Sequence, residues 1–459
     1  MNRNKTRTLK IDIPFWGAAL ALALPIAMQS LLTSCATLID TAMITGLGDA
    51  SVSAMGVAAR YSFFLNVACY GFASGCASLL AQYWGAKETA NLRRTLGFTL
   101  TLAMAFGIVM TLALAFFPEA LMMVFTDVPE VIALGAEYLR SFSFAVPFLV
   151  FAQIVCAALR SVENVRVPLL SAVAAVGVNV FLNWVLIFGK LGAPALGLRG
   201  AAIASAIGIA VQALVVLAAF LFGKNPYRGP IREMLAFDRR FCARHLRVSL
   251  PVLLNESLWA LGTNIYVMVF ARQGVENHAG YTLYENIQQL FFVFFVGICG
   301  ACSIMVGMRV GQGDHEDAYR AARRFSIATP VLAAVMGGLM IALRDPVLSL
   351  FPVESEATRA VASACLLLYG VWLAFRMIPY TLICGVFRAG GDTKTGFLFD
   401  ALTLYGIGIP AVLVMGFLVR PDFVWIVAAM FLGEDLLKTV LCVRHFRSRK
   451  WIKQLTATK

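Results

Sequence analysis

Long stretches of the chain contain no Asp, Glu, Lys or Arg: Ile13–Ile39, Tyr61–Ala86, Thr95–Pro118, Ser141–Leu159, Val167–Gly189, Gly200–Gly223, Asn286–Met308, Phe325–Leu343 and Ala401–Val419. A helix needs roughly 20 apolar residues to cross a hydrocarbon core about 30 Å thick, and each run meets or approaches that length. Three weaker apolar segments fill the gaps at about 247–271, 357–387 and 423–443. They are interrupted by Glu256, by Arg376, and by Glu434, Asp435 and Lys438. Strands of a membrane barrel would alternate polar and apolar positions over about ten residues, whereas these runs are apolar on every side. The pattern therefore predicts an all-α membrane protein with twelve transmembrane helices.

Composition agrees: of 459 residues, 60% are hydrophobic and 14% charged, with a mean hydropathy of +0.80. Soluble domains average about 45–50% apolar and about 25% charged residues. The basic residues then orient the spans. With the N-terminus inside, the predicted outer loops hold only Lys190, Arg199, Arg272, Arg344, Arg359 and Arg420, while Arg60, Arg140, Arg376 and Lys438 fall within helices. All other Lys and Arg, including Arg3, Lys5, Arg7 and Lys10, lie on the predicted inner side. This is the asymmetry expected of a multi-pass protein of the plasma (inner) membrane with both termini cytoplasmic. The net charge of +13 thus reads as topology and contact with anionic lipid, and nucleic acid is not an expected partner. The first run is too long, and lacks the small-residue cleavage site, for a removed signal peptide.

Enzymatic constellations are not visible. The ten cysteines are scattered through the helices, where cysteine acts as a small hydrophobe, and "CGAC" at Cys299–Cys302 lies inside a span without a redox context. His245, His278, His315 and His445 stand singly, so no metal site is expected. There is no phosphate loop, and the longest interhelical segment is too short for an ATPase domain. Any work the protein does must draw on an ion gradient, and no cofactor beyond the coupling ion is expected.

The chain repeats internally. A shift of 226 residues lays Pro25 on Pro251, Gly48 on Gly274, Gly71 on Gly297, Gly85 on Gly311 and Glu88 on Asp314. A shift of 228 pairs Arg160 with Arg388 and Pro118 with Pro346. Two six-helix lobes follow: an N-lobe (1–223), a basic cytoplasmic linker (224–246), a C-lobe (247–446) and a tail (447–459). Six spans per lobe is an even number, so both lobes enter from the same side and the pseudo-twofold axis runs along the membrane normal. Part of the linker, "GKNPYRGPIREMLAFDRRFCARHLR", would lie on anionic lipid as an amphipathic helix.

Against this apolar background Asp40 stands out. It follows the charge-free run Ile13–Ile39, yet the apolar pattern continues through "TAMI" and the turn signal "GLGD" comes only afterwards, which places it in the outer half of the first span. A buried charge costs at least about 2.5–3.5 kcal/mol at membrane depth, which makes the carboxylate a functional candidate. The 226-residue shift matches it to Tyr266, so the lobes are alike in packing and unlike in chemistry. Asn179 and Asn183 lie one turn apart on the fifth span. They could donate to Asp40, coordinate a cation, or simply join helices. Glu256, about two turns into the seventh span, either lies at the interface or meets substrate.

At these residues the sequence resembles the multidrug and toxic compound extrusion (MATE) family, over nearly the whole chain. The resemblance rests on "PIAMQSLLTSCATLID" (Pro25 to Asp40) followed by "TAMITGLGD", on "AQYWGAKE", on "ALRSVENVRVP" with its repeat copy "VFRAGGDTKTG", and on "GLRGAAIAS" opening the sixth span. It implies an antiporter that exports small organic, often cationic or amphipathic, compounds in exchange for H⁺ or Na⁺. It also implies that Asp40 carries the coupling ion, with Asn179, Asn183, Ser205 and Tyr138 around it; a Na⁺ would sit at Asp40, Asn179 and Asn183. Some members carry Asp where this chain has Asn183. The branch with a cation site in the C-lobe has Glu where this chain has Trp259, and Asp near Met377, beside Arg376. The chain is therefore expected in the branch resembling DNA-damage-inducible protein F, coupled through the N-lobe and monomeric, with Glu256, Trp259, Tyr266 and Arg376 as substrate-cavity candidates. The alternative is a flippase of lipid-linked precursors in the same superfamily, which would be expected to need several cavity cations, whereas the predicted helices hold almost none beyond Arg60, Arg140, Arg376 and Lys438.

Overall fold

The structure is a computed structural model that describes residues 13–351 and 355–456. Arg3, Lys5, Arg7 and Lys10, which contribute to the predicted sidedness, and the last three residues of the tail lie outside the described residues. Among the described residues twelve helical spans form two lobes. Helices 1–6 are Ile13–Ile44, Asp49–Gly85, Thr89–Phe116, the pair Pro129–Ser143 and Val146–Ser161, Arg166–Phe188, and Gly197–Phe222. Helices 7–12 are Arg239–Ala271, Val275–Gly311, His315–Ala342, Glu356–Phe387, Thr393–Val419 and Phe423–Arg447. Ten of these are recognisable by length and apolarity, counting the bent pair as one span. Helices 7 and 12 complete the set; their embedded charges hide them from a hydropathy count.

Several ends differ from expectation. Helix 2 begins at Asp49 and helix 8 at Val275, each about a dozen residues before the charge-free run. Both start directly after a glycine with positive φ, Gly48 at 94° and Gly274 at 116°, so the repeated glycine is the turn that launches the same helix in each lobe. Glu285, which would lie just outside a helix confined to the charge-free run Asn286–Met308, is therefore well inside helix 8. Helix 7 begins at Arg239, within the segment assigned to the linker, because Asp238 caps it by accepting from the Phe241 amide. Helix 4 bends by 52° between its halves, ahead of Pro147, which has no N–H to continue the ladder.

The linker is tied to the N-lobe. Arg93 pairs with Glu233 at 2.6 Å, and the Tyr227 hydroxyl donates to the Ala158 carbonyl at 2.7 Å. Ahead of helix 7 the linker forms a single helical turn, Ile231–Met234, too short to be the amphipathic surface helix expected there.

Each lobe has its own core. Leu65, Cys69, Leu139, Val150 and Ile154 centre the N-lobe, and Tyr266, Tyr284, Tyr369 and Phe431 the C-lobe. A third core joins them at the linker side, where Phe15, Leu22 and Ile26 of helix 1 pack with Cys302, Met305, Phe325 and Trp451. Helix 7 reciprocates by packing Val248 and Leu253 into the N-lobe core. The repeated glycines make these crossings possible. A Cβ on Gly85 would strike the Met308 carbonyl, and one on Gly311 the Gln82 carbonyl; Gly71 lies against Leu253, and Gly297 against Ala27. In the 226-residue repeat, Gln82 corresponds to Met308 and Ala27 to Leu253, so each contact is the pseudo-symmetric image of another.

The lobes meet mainly on the linker side. Gln82, fully buried, donates to the Ala389 carbonyl at 2.8 Å and accepts from the Leu455 amide at 2.8 Å, so the tail itself joins the two lobes. Toward the opposite side the lobes share the Arg60–Asn264 hydrogen bond, at 3.2 Å and exposed.

Candidate functional site

Asp40 is half-buried near the C-terminal end of helix 1. Its Oδ1 accepts from Asn183 Nδ2 at 2.5 Å, a short, charge-assisted contact between helices 1 and 5. Asn183 Nδ2 also lies 3.4 Å from Asn179 Oδ1, and Asn179 Nδ2 donates to Ser205 Oγ at 3.2 Å. One relay thus runs Asp40–Asn183–Asn179–Ser205 across helices 1, 5 and 6. It depends on close packing of helices 5 and 6, because a Cβ at Gly208 would press on Asn179 and the Ala175 carbonyl, and one at Gly200 on the Leu186 carbonyl. Any side chain at Gly208 would push Ser205 away from its partner.

The relay leaves one demand unmet. Asn183 is 0% exposed, and its Oδ1 has no hydrogen-bond partner among the described residues. A buried carbonyl without a donor costs about 1–3 kcal/mol. A protonated carboxyl or a cation placed between Asp40 and Asn183 would satisfy it. Tyr138 is also buried in the N-lobe, stacked on Phe142 with ring centroids 6.0 Å apart. Among the described residues it makes no hydrogen bond to Asp40.

The C-lobe candidates do not gather into one site. Glu256 forms an ion pair of 2.6 Å with Arg388, whose other nitrogen donates to Ser74 of helix 2 at 3.1 Å. This pair sits where the lobes meet. Arg376 pairs with Asp435 at 3.1 Å and approaches Glu434 at 3.6 Å, so it is engaged within the lobe. Tyr266 is buried, and its hydroxyl has no partner among the described residues. Trp259 is 41% exposed and shares no polar contact with the other three among the described residues.

Sequence reasoning missed Arg388 as the partner of Glu256, and missed Asp400, which lies 3.0 Å from Lys438 on helix 12. The available signals were weak: Arg388 was visible only as the repeat partner of Arg160, and Glu434, Asp435 and Lys438 only as charges interrupting the last apolar segment. Arg160, in the N-lobe, donates to Gln29 at 3.0 Å, so the repeated arginines reach corresponding helices in different ways. Among the described residues there is no cluster of His, Cys, Asp and Glu arranged to hold a metal ion.

On the linker side, Asp392 receives hydrogen bonds from His445, Lys453 and Thr395 at 2.7, 2.7 and 2.8 Å. Burial alone would raise its pKa, but these three donors outweigh burial and hold it at about 2. The anion thereby fixes the tail across the loop between helices 10 and 11, where Lys453 also donates its amide to the Gly390 carbonyl.

The MatE family model matches this chain twice, over residues 25–185 and 251–414, once in each lobe. Similar proteins include the Probable multidrug resistance protein YoeA of Bacillus subtilis (strain 168), 24% identical over 417 residues, covering 90% of this chain and 89% of that protein. The Multidrug resistance protein MdtK of Pectobacterium atrosepticum is 23% identical over 396 residues, covering 85% of each. Among solved structures, a transporter of the MOP superfamily from Pyrococcus furiosus superposes with a TM-score of 0.84 at 19% identity over 96% of each chain. A multidrug resistance transporter in an outward-facing conformation superposes with a TM-score of 0.83 at 19% identity, again over 96% of each.

Proposed function

This chain belongs to the MatE family of membrane transporters, and is therefore a transporter and not an enzyme. From that premise we propose that it exports small organic, often cationic or amphipathic, compounds from the cell. Export is driven by inward movement of H⁺ or Na⁺, and Asp40 is the coupling carboxylate.

The observation that carries this reading is the pairing of Asp40 with Asn183 beside a buried carbonyl that lacks a donor. With Asp40 charged, the Asn183 amide donates to it and Asn183 Oδ1 is unsatisfied. A proton on Asp40 supplies a donor for that oxygen and removes the charge; a Na⁺ would use the same oxygens as ligands. Either change alters what helix 1 offers to helices 5 and 6, and Asn179 and Ser205 carry the change across the lobe. Coupling follows if ion and cargo differ in affinity between the two states of the lobes. With both termini cytoplasmic, as the distribution of basic residues favours, the joined linker side faces the cytoplasm and Asp40 lies toward the outside, where the driving ion enters.

The test is efflux of a cationic dye from proteoliposomes holding the purified protein, under an imposed pH or Na⁺ gradient. Asp40→Asn should insert, keep its unfolding temperature and lose gradient-driven export. Export at the unaltered rate by that variant would remove Asp40 from the mechanism, and the gradient that drives the unaltered protein identifies the ion.

A further inference from the structure

The C-lobe contains a line of ionisable side chains of alternating sign. Asp435 Oδ2 accepts from Arg376 Nη1 at 3.1 Å and from Trp372 Nε1 at 3.0 Å, and Arg376 Nη2 lies 3.6 Å from Glu434 Oε2. Glu434 Oε1 is 2.9 Å from Lys438 Nζ, which is 3.0 Å from Asp400 Oδ1, and Asp400 Oδ2 accepts from Asn255 at 3.1 Å. Three carboxylates thus alternate with two cations, an excess of one negative charge. Burial keeps water from absorbing that charge, since the side chains of Asp435, Glu434 and Lys438 are 2%, 6% and 8% exposed.

Among the described residues, the surrounding groups do not supply the missing positive charge. Arg388 is taken by Glu256. Tyr281 and Tyr284 of helix 8 and Tyr369 of helix 10 face the Arg376 end, with Glu285 beyond Tyr281. The Cys384 and Cys442 thiols face the Asp400–Lys438 end. All of these are neutral or anionic. The cost of an unbalanced charge at membrane depth, at least about 2.5–3.5 kcal/mol, therefore falls on the line itself.

A second observation points the same way. Tyr266 occupies the repeat position of Asp40; it is 2% exposed, its hydroxyl lacks a partner among the described residues, and Glu434, Arg376, Lys438 and Asp435 lie within its electrostatic reach. That hydroxyl abuts Gly408, in the widened turn Leu404–Gly408 of helix 11. Gly408 in turn touches Gly433, much as Asn179 touches Gly208 in the N-lobe. At the place where the N-lobe sets a carboxylate on an asparagine, the C-lobe has an unpaired phenol beside a buried charge imbalance.

We propose that Asp435 binds a proton, making this line a second proton site of the protein, separate from Asp40. Asp435 ends the line and has one direct ion-pair partner, Arg376, with Lys438 further off beyond Glu434. Both of its donors address Oδ2, and Oδ1 accepts no hydrogen bond among the described residues, so a proton from water adds there without displacing a partner. Asp400, at the other end, uses both oxygens and is 21% exposed, while Glu434 lies between both cations. This site does not depend on Asp40 being the coupling group.

Infrared difference spectra of the full-length protein in liposomes, recorded across a pH step, test the assignment. The Asp40→Asn protein should retain a titrating band of a protonated carboxyl group. That band should shift when aspartate, but not glutamate, is ¹³C-labelled, and should vanish in Asp40→Asn/Asp435→Asn. Aspartate labelling of Asp40→Asn/Asp400→Asn needs no substitution at 435, should leave the shifted band in place, and so keeps the test if the Asp435 variant fails to fold. Loss of every such band in Asp40→Asn, no response to aspartate labelling, survival of the band without Asp435, or a response to Na⁺ in place of pH would each overturn the proposal. Asp40 can fail as the coupling group while the Asp435 band persists, so the two ideas are tested separately.

Discussion

The side-chain amide of Asn183 reaches Asp40 of helix 1 at 2.5 Å, although the two residues are separated by most of the N-lobe sequence. This contact makes Asn183 the residue through which helix 5 senses the state of the carboxylate. Asn183→Ala removes a hydrogen bond to a charged group, a change of about 1.5–3 kcal/mol, or roughly tenfold to a hundredfold in equilibrium terms. Gradient-driven dye efflux should fall on that scale while membrane insertion is unchanged. Asn179→Ala, one step further along the relay, should have a smaller effect in the same assay.

The glycines where helices 2 and 8 cross tolerate no side chain. Gly85→Ala would drive a methyl into the Met308 carbonyl, and overpacking of this kind costs about 1–3 kcal/mol. The linker-side contact between the lobes should loosen. A cysteine introduced at Ser249, which lies against Gly75, should then react faster with a membrane-impermeant thiol reagent applied from the linker side than it does without the glycine substitution.

Arg388 and Glu256 should be destabilising to lose singly and nearly neutral to lose together. Arg388→Met leaves Glu256 partly buried without its partner, at a cost of about 3–5 kcal/mol, and the midpoint of thermal unfolding in detergent should drop accordingly. Glu256→Gln in the same chain should restore most of the loss. Failure of the second substitution to rescue the first would mean that Arg388 acts mainly through Ser74.

Docking of the tail should depend on acid in a defined window. Asp392 has its pKa depressed from 3.8 to about 2, so its contribution is complete above the higher value and is lost as pH falls through the lower one. Hydrogen-exchange protection of the Leu455 amide, corrected for intrinsic rates, should persist at neutral pH and disappear across that interval. In Asp392→Asn the protection should be weak at every pH.

The number of spans, the two lobes and the isolated carboxylate of helix 1 were legible in the sequence, because the membrane demands about 20 apolar residues per crossing and makes each embedded charge conspicuous. The repeated glycines were legible as a pattern, but not as the points where opposite lobes touch. Tertiary structure alone decided which polar groups meet. Asn179 and Ser205 come together because Gly200 and Gly208 let helices 5 and 6 approach closely, Asp40 meets Asn183 where helix 1 packs on helix 5, and Glu256 meets Arg388 where helix 7 passes the end of helix 10. Periodicity records which residues must avoid water or lipid. It does not record how two helices cross, and the crossing sets every distance over which a charge finds its partner.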